Sequence, residues 1–343
     1  MLPLQKITYS LALACLFICL MVFGKALLVP VVMGFVLWYL INAVDQLFRR
    51  VPFFGTRSAR GLSLTVAAVT VLGVIVLAGS LIGGQINEMI DTAPEYWLNL
   101  ERQFAHVLAG FGYDENLTLE KISQELKVND HLLGLLASFT TVTRQFLLVL
   151  LYTLFLLVEQ HTFPRKLAAL ELKPRRKNKL LRVLTKLNQA IRTYVGVKFA
   201  ASFATALLSY FVIAYVGVDF AVFWAFSIFA LNFIPTIGSI VATILPSMMA
   251  IVQFDHLGPF VIVAIGVGLI QLSIGGLLEP KLYGDALNIS PFVIIFSLML
   301  WGLLWGVVGM LLCVPITFTL ITFLAQFGST RPLAVLLSRK GRV

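Results

Sequence analysis

Charge is what this chain has least of. Only 12% of its 343 residues are Asp, Glu, Lys or Arg, against about 25% in an average soluble domain. Hydrophobic residues make up 59%, and the mean hydropathy is +0.94. That deficit excludes an ordinary soluble domain and predicts an all-α, polytopic helical membrane protein. Cysteine is scarce as well. Cys15, Cys19 and Cys313 all fall inside apolar stretches, an odd count that supplies neither a disulfide framework nor metal-ligand spacing. The motifs of membrane chemistry are also missing. There is no GxxxxGK[ST] loop and no HExxH, and Gly284-Asp285 lacks both the GxGD form and a second membrane aspartate. Gly61-Leu-Ser63 lacks the second glycine of a serine-protease motif. The chain is therefore read as no enzyme, with no cofactor and no metal to hold.

The charge that is present has a telling distribution. The net charge is +10, but the cations sit in links between apolar runs, as in cytoplasmic loops, and no nucleic-acid face is expected. Residues 7–23 and 26–48 read as two spans followed by Arg49, Arg50, Arg57 and Arg60. That places the link inside, and the N-terminus with it. Residues 62–86 then lead outward. Residues 87–143 carry nine acids, among them Glu88, Asp91, Glu95 and Glu120, which fits the periplasmic side. Thr92, Pro94 and Glu95 read there as a helix start, opening a small helical subdomain. After a fourth span the link 164–198 holds eleven basic residues against Glu171 alone. Within it Leu180, Leu184, Leu187, Ile191 and Tyr194 form an apolar stripe opposite Arg182 and Lys186, the pattern of a basic helix lying on anionic lipid.

The C-terminal half repeats one plan, an ordinary span followed by an overlong, interrupted one. Residues 220–254 run for 35 positions without Lys, Arg, Asp or Glu, well beyond the ~20 needed to cross a bilayer. They are broken near Asn232, Pro235 and Gly238. Residues 292–327 are similarly apolar and carry Gly302, Gly306, Gly309 and Pro315. Paired interruptions of this kind point to a transporter's binding site. Two half-helices around a turn suit the lengths better than one tilted span, giving six spans plus two re-entrant hairpins. Single kinked crossings would give eight spans and move residues 280–291 to the other face. The polar residues near apolar segments are Asn232, Gln271, Glu279, Glu159 and Lys198. The three charged ones lie near segment ends, where snorkelling explains them as well.

Three strings carry a family resemblance: LNFIPTIGSIVATILP at 231–246, LEPKLYGDALNIS at 278–290, and LWGLLWGVVGMLLCVPIT at 300–317. Together with LFLLVEQ around Glu159 and YVGVK at 194–198, they resemble the autoinducer-2 exporter family, also called the PerM family of permeases, over essentially the whole chain. Thr236 and Tyr283 depart from the Asn and Met common there. The resemblance implies a transporter, associated with autoinducer-2 export in some members and with Na⁺(Li⁺)/H⁺ antiport in others.

The expectations are these. The regions are a three-span part (1–86), a periplasmic helical subdomain (87–143), a fourth span (144–163), a basic amphipathic linker (164–198), a transport region (199–327) and a cytoplasmic tail (328–343). The chain is a secondary transporter of the bacterial inner membrane, both termini cytoplasmic, exporting a small polar metabolite such as autoinducer-2. Alternatives are a Na⁺(Li⁺)/H⁺ antiporter and an uncoupled channel or structural scaffold. The solute path is expected at Asn232, Pro235, Gly238, Gln271, Gly306 and Gly309. Glu279, Glu159 and Asp285 are the candidates for coupling protons or monovalent cations. Membrane lipids are partners, and Gly-rich apolar faces suit homo-oligomerisation.

Overall fold

A computed structural model describes residues 3–50, 60–110, 146–169, 173–284 and 288–341. Among these the regular structure is helical: α1 (Pro3–Phe23), α2 (Lys25–Phe48), α3 (Arg60–Gly110), α4 (Phe146–Glu159), α5 (Phe163–Ala168), α6 (Pro174–Val216), α7 (Ala221–Leu231), α8 (Ile237–Gln253) and α9 (Gly258–Gln271). A π-helix (Leu272–Leu278), α10 (Glu279–Tyr283), α11 (Pro291–Leu324) and α12 (Arg331–Leu337) complete it. Large apolar side chains such as Leu207, Phe211 and Leu303 are exposed while Ile213, Val263 and Val267 are fully buried. Apolar residues on both faces are what a bilayer asks of its spanning helices. The chain is a multi-pass membrane protein.

Two compact units divide it. Unit one draws on residues 1–67, 145–196 and 283–343, and unit two on 68–144 and 197–282.

Both interrupted segments reverse direction. In unit two, Gln253 Oε1 accepts from the backbone N–H of Asp219 at 2.8 Å, and Gln253 Nε2 donates to the carbonyl of Gly217 at 2.9 Å. In a straight helix, residues 219 and 253 would stand about 50 Å apart at 1.5 Å per residue. Helices α7 and α8 are thus two arms of a hairpin closed at its base. In unit one, Trp301 Nε1 donates to Thr317 Oγ1 at 3.0 Å, whereas 16 residues of straight helix cover about 24 Å. Gly306, at φ 64° and ψ −144°, is the reversal inside α11, a backbone conformation essentially confined to glycine. Among the described residues, five helical stretches, α11 included, are long and apolar enough to cross a bilayer, but α11 turns back on itself.

The base of this second hairpin is tied to the tail. The Ser290 N–H donates to the Leu337 carbonyl at 3.1 Å, and the Lys340 N–H to Asn288 Oδ1 at 3.0 Å. Lys179 Nζ reaches the carbonyl of Gln326 at 2.9 Å. Residues 288–290 therefore share a face with the C-terminal tail, which is the arrangement a hairpin requires and a single crossing forbids.

Three local readings are corrected. Gly24 alone separates α1 from α2, with φ −82° and ψ 0° close to helical values. Gly24 N still bonds Leu20 O at 2.8 Å, and Leu28 N bonds Gly24 O at 2.9 Å. The expected reversal is a bend in one rod, so the side of the N-terminus does not follow from the basic 49–60 link. Thr92 starts no helix: α3 runs through it and Pro94, and its hydroxyl donates back to Glu88 O at 2.8 Å. The basic stripe belongs to no separate surface helix. It is the first half of the 43-residue α6, and Leu180, Leu184, Leu187 and Ile191 are half-buried, with Asn188 accepting from Tyr39 Oη at 2.9 Å.

The tip of the first hairpin is strained. Thr236 has φ 59° and ψ −59°, and the Ile237 N–H closes onto the Pro235 carbonyl at 2.6 Å. This is the γ-turn of positive φ, rare for any residue and worst for a β-branched one. Such strain costs on the order of 1–3 kcal/mol, of which glycine's extra chain entropy would take back a part. Thr236→Gly is expected to stabilise the protein by about 1 kcal/mol; a thermal melt below that of the wild type would show that the turn is not strained.

Candidate transport site

The break in the first hairpin frees backbone groups. Pro235 has no N–H, and its carbonyl takes both Ile237 N and Thr236 Oγ1. Among the described residues, no backbone hydrogen bond reaches the carbonyls of Asn232 and Phe233. Asn232, the C-cap residue of α7, is buried, and so is Gln271 at the end of α9. Gln271 Nε2 donates to Asn232 Oδ1 at 2.9 Å. This leaves the Asn232 amide NH₂ and the Gln271 carbonyl oxygen with bonding capacity to spare, one donor set and one acceptor side by side.

A second polar pair lies eight residues along the same rod. Glu279 comes directly after the π-helix and meets Lys198 of α6, Nζ to Oε1 at 2.6 Å, with side chains only 10% and 13% exposed for the lysine and the glutamate. Lys198 is thus a buried, paired cation, and snorkelling does not describe it. π-turns are uncommon and concentrate at functional sites; here Gly275 and Gly276 fall within it, between Gln271 and Glu279. Beyond Lys198 the same face of α6 carries Ser202, Thr205 and Ser209, all buried. One turn before Lys198, Tyr194 stacks on Tyr283 with ring centroids 5.6 Å apart.

The remaining expected residues are placed differently. Gly238 packs at the hairpin tip, where any Cβ would collide with the carbonyl oxygen of Leu231. Gly309 does the same in unit one, its Cβ position meeting the carbonyl oxygen of Trp301. Both glycines let the chain close a turn that a side chain would block. Gly306 supplies the reversal itself. Glu159 is exposed and paired with Lys166, a kind of pair that contributes little. Asp285 lies outside the described residues. The buried partnership of Lys198 with Glu279, 81 positions apart, carries no signal in a single sequence. The Asp45 cluster is legible only in part: the four-residue spacing to Arg49, which its buried carboxylate meets at 2.6 Å, is a helical pair, but the Ser63 Oγ that donates to it at 2.7 Å is 18 positions away.

The model of the AI-2E family transporter matches residues 11–328. The chain belongs to the AI-2E transporter family. It is 29% identical over 339 residues to the AI-2 transport protein TqsA of Escherichia coli K12, covering 97% of this chain and 95% of that protein. A provisionally named transport protein of Haemophilus influenzae is 29% identical over 305 residues, 87% of this chain and 85% of its own. YhhT of Escherichia coli K12, also provisionally named for transport, is 25% identical over 262 residues, 75% and 74% of the two chains. This family member is a membrane transporter, and the expected architecture of interrupted helices is present.

Removing one partner of a buried ion pair strands the other charge, at about 3–5 kcal/mol, whereas an apolar replacement of both is often neutral. Lys198→Met should therefore destabilise strongly and Lys198→Met/Glu279→Met much less. Equal loss in the single and double variants, measured by unfolding in detergent, would remove the pair from the stability of unit two.

Proposed function

We propose that the protein is a secondary transporter of the bacterial inner membrane that exports a small polar, hydroxyl-bearing metabolite of the autoinducer-2 type. The supporting observation is the break at 232–236, where unpaired backbone carbonyls lie next to the free donor and acceptor of the Asn232–Gln271 pair. Carbonyls and amides recognise hydroxyls without a net charge on either side. TqsA is named for AI-2 transport, which supports the solute class, and the chain's missing nucleotide and hydrolase motifs favour a carrier over an enzyme. Coupling to an ion gradient is then required for uphill export.

Sidedness is assigned from charge. The basic loops and the tail are assigned to the cytoplasm and the acidic 87–143 region to the periplasm. Since 288–290 pair with the tail, a single cysteine at Asn288, in a protein without native cysteines, should react with an impermeant thiol reagent only from the cytoplasm. Labelling from outside intact cells would reverse this topology.

The path is tested at the amide pair. Gly238→Leu would collapse the hairpin tip and report on folding, so the informative changes are Asn232→Leu and Gln271→Met. Each is expected to lower solute flux in proteoliposomes at least about tenfold, the effect of losing roughly 1.4 kcal/mol of recognition, while the control Glu120→Gln transports normally. Full flux in both variants would exclude this site. The runner-up, cation/proton antiport, is favoured by the buried Glu279. It would be recognised by cation-driven proton movement in the absence of solute, abolished by Glu279→Gln.

A further inference from the structure

The largely covered carboxylate of Glu279, 13% exposed, stands at the end of a strongly apolar stretch of unit two. Residues 220–254 and 258–278 contain no Asp, Glu, Lys, Arg, His, Tyr or Cys, and Asp255 and His256 lie in the link between them. Lys198 faces Glu279, Nζ to Oε1 at 2.6 Å; Lys281, on the same short helix, is exposed. Leaving a carboxylate ionised in such surroundings requires a cation beside it.

We propose that Lys198 is the resident occupant of a monovalent-cation site on Glu279: a tethered ammonium standing where a free cation or a proton would otherwise bind, so that the site opens to solution cations only when Lys198 leaves. The chemistry of the pair supports it. An ammonium on a flexible four-carbon stem is a point charge that can withdraw without breaking a bidentate geometry, as an arginine could not. The π-helix immediately before Glu279 gives the pair means to move apart, since each residue of register lost on rewinding to α turns the downstream helix by about 100°. Gly275 and Gly276 put almost nothing in the way: a Cβ at the first would meet only Gln271 Oε1, at 3.9 Å, and at the second nothing within 4 Å. Lys198 is thus assigned as a positioning and specificity-determining residue for whatever cation couples transport. This goes beyond the proposed export reading and rests on it only for the cation's purpose, because the experiment needs no solute.

The test is thermal unfolding of the purified full-length protein in detergent, at constant ionic strength, in sodium, lithium or choline chloride, and separately at lowered pH. Wild type is expected to respond little, its site being filled. Lys198→Met should melt higher in sodium or lithium than in choline, or higher on acidification. Lys198→Met/Glu279→Gln, which has no carboxylate to serve, should lose that response. If Lys198→Met cannot be purified in choline, its recovery in sodium, lithium or at low pH supports the proposal, and recovery in none of them overturns it. A wild type as responsive as Lys198→Met overturns it, as does a double variant that responds like the single one. Loss of export in Asn232→Leu would leave all of these outcomes unchanged, so the two readings fail separately.

Discussion

A backbone N–H or C=O without a partner in hydrocarbon costs several kcal/mol, and this constraint governs the C-terminal half. A helix can be interrupted at membrane depth only where the freed groups face protein or a watery cavity. Here the interruptions are made into hairpins, each tied across by side chains. Gln253 bonds the backbone of residues 217 and 219, and Trp301 bonds Thr317. The tail adds backbone pairing at 288–290. Without these ties each hairpin would be a long apolar stretch with a costly kink. With them, the break is confined to a few residues, and those residues can present polar backbone to a solute.

Much of this was legible in the sequence, and for physical reasons. Composition gives the solvent, charged links give the loops, and Pro235 and Gly306 cannot sit quietly in a continuous helix. Family membership was legible from three ordered strings. The features that were not legible depended on contacts distant in sequence. The two interrupted segments read as one plan, but the spacing of their glycines and prolines differs, so the contact they share was not legible. The common feature is a glycine that comes against a carbonyl seven or eight residues earlier, Leu231 for Gly238 and Trp301 for Gly309. Local patterns misled where helices were simply longer than expected. Thr92 resembles a cap, but Pro94 can be accommodated within α3, and the amphipathic stripe of α6 is partly covered by protein.

The candidate site illustrates the same division. Asn232 was identifiable because an amide one turn before a proline in an apolar run is expensive unless used. Gln271 was identifiable by the same reasoning. Their meeting at 2.9 Å was not. For Glu279 and Lys198, each alone looked like a charge escaping to a membrane edge. Only together do they become a largely buried pair, and pairing reverses the meaning of both: each charge is the partner that offsets the desolvation of the other.

That pair and the amide pair sit on one helical rod, eight residues apart, separated by the π-helix. A change of winding there cannot leave both pairs as they are. If Gln271 keeps Asn232, Glu279 turns away from Lys198; if Glu279 keeps Lys198, Gln271 turns away from Asn232. The amide pair at the hairpin break and the ion pair at Glu279 are thereby linked by covalent geometry alone. The link needs no path of intermediate residues, only a helix segment with two windings of similar energy, and two adjacent glycines with so little around them are suited to provide one.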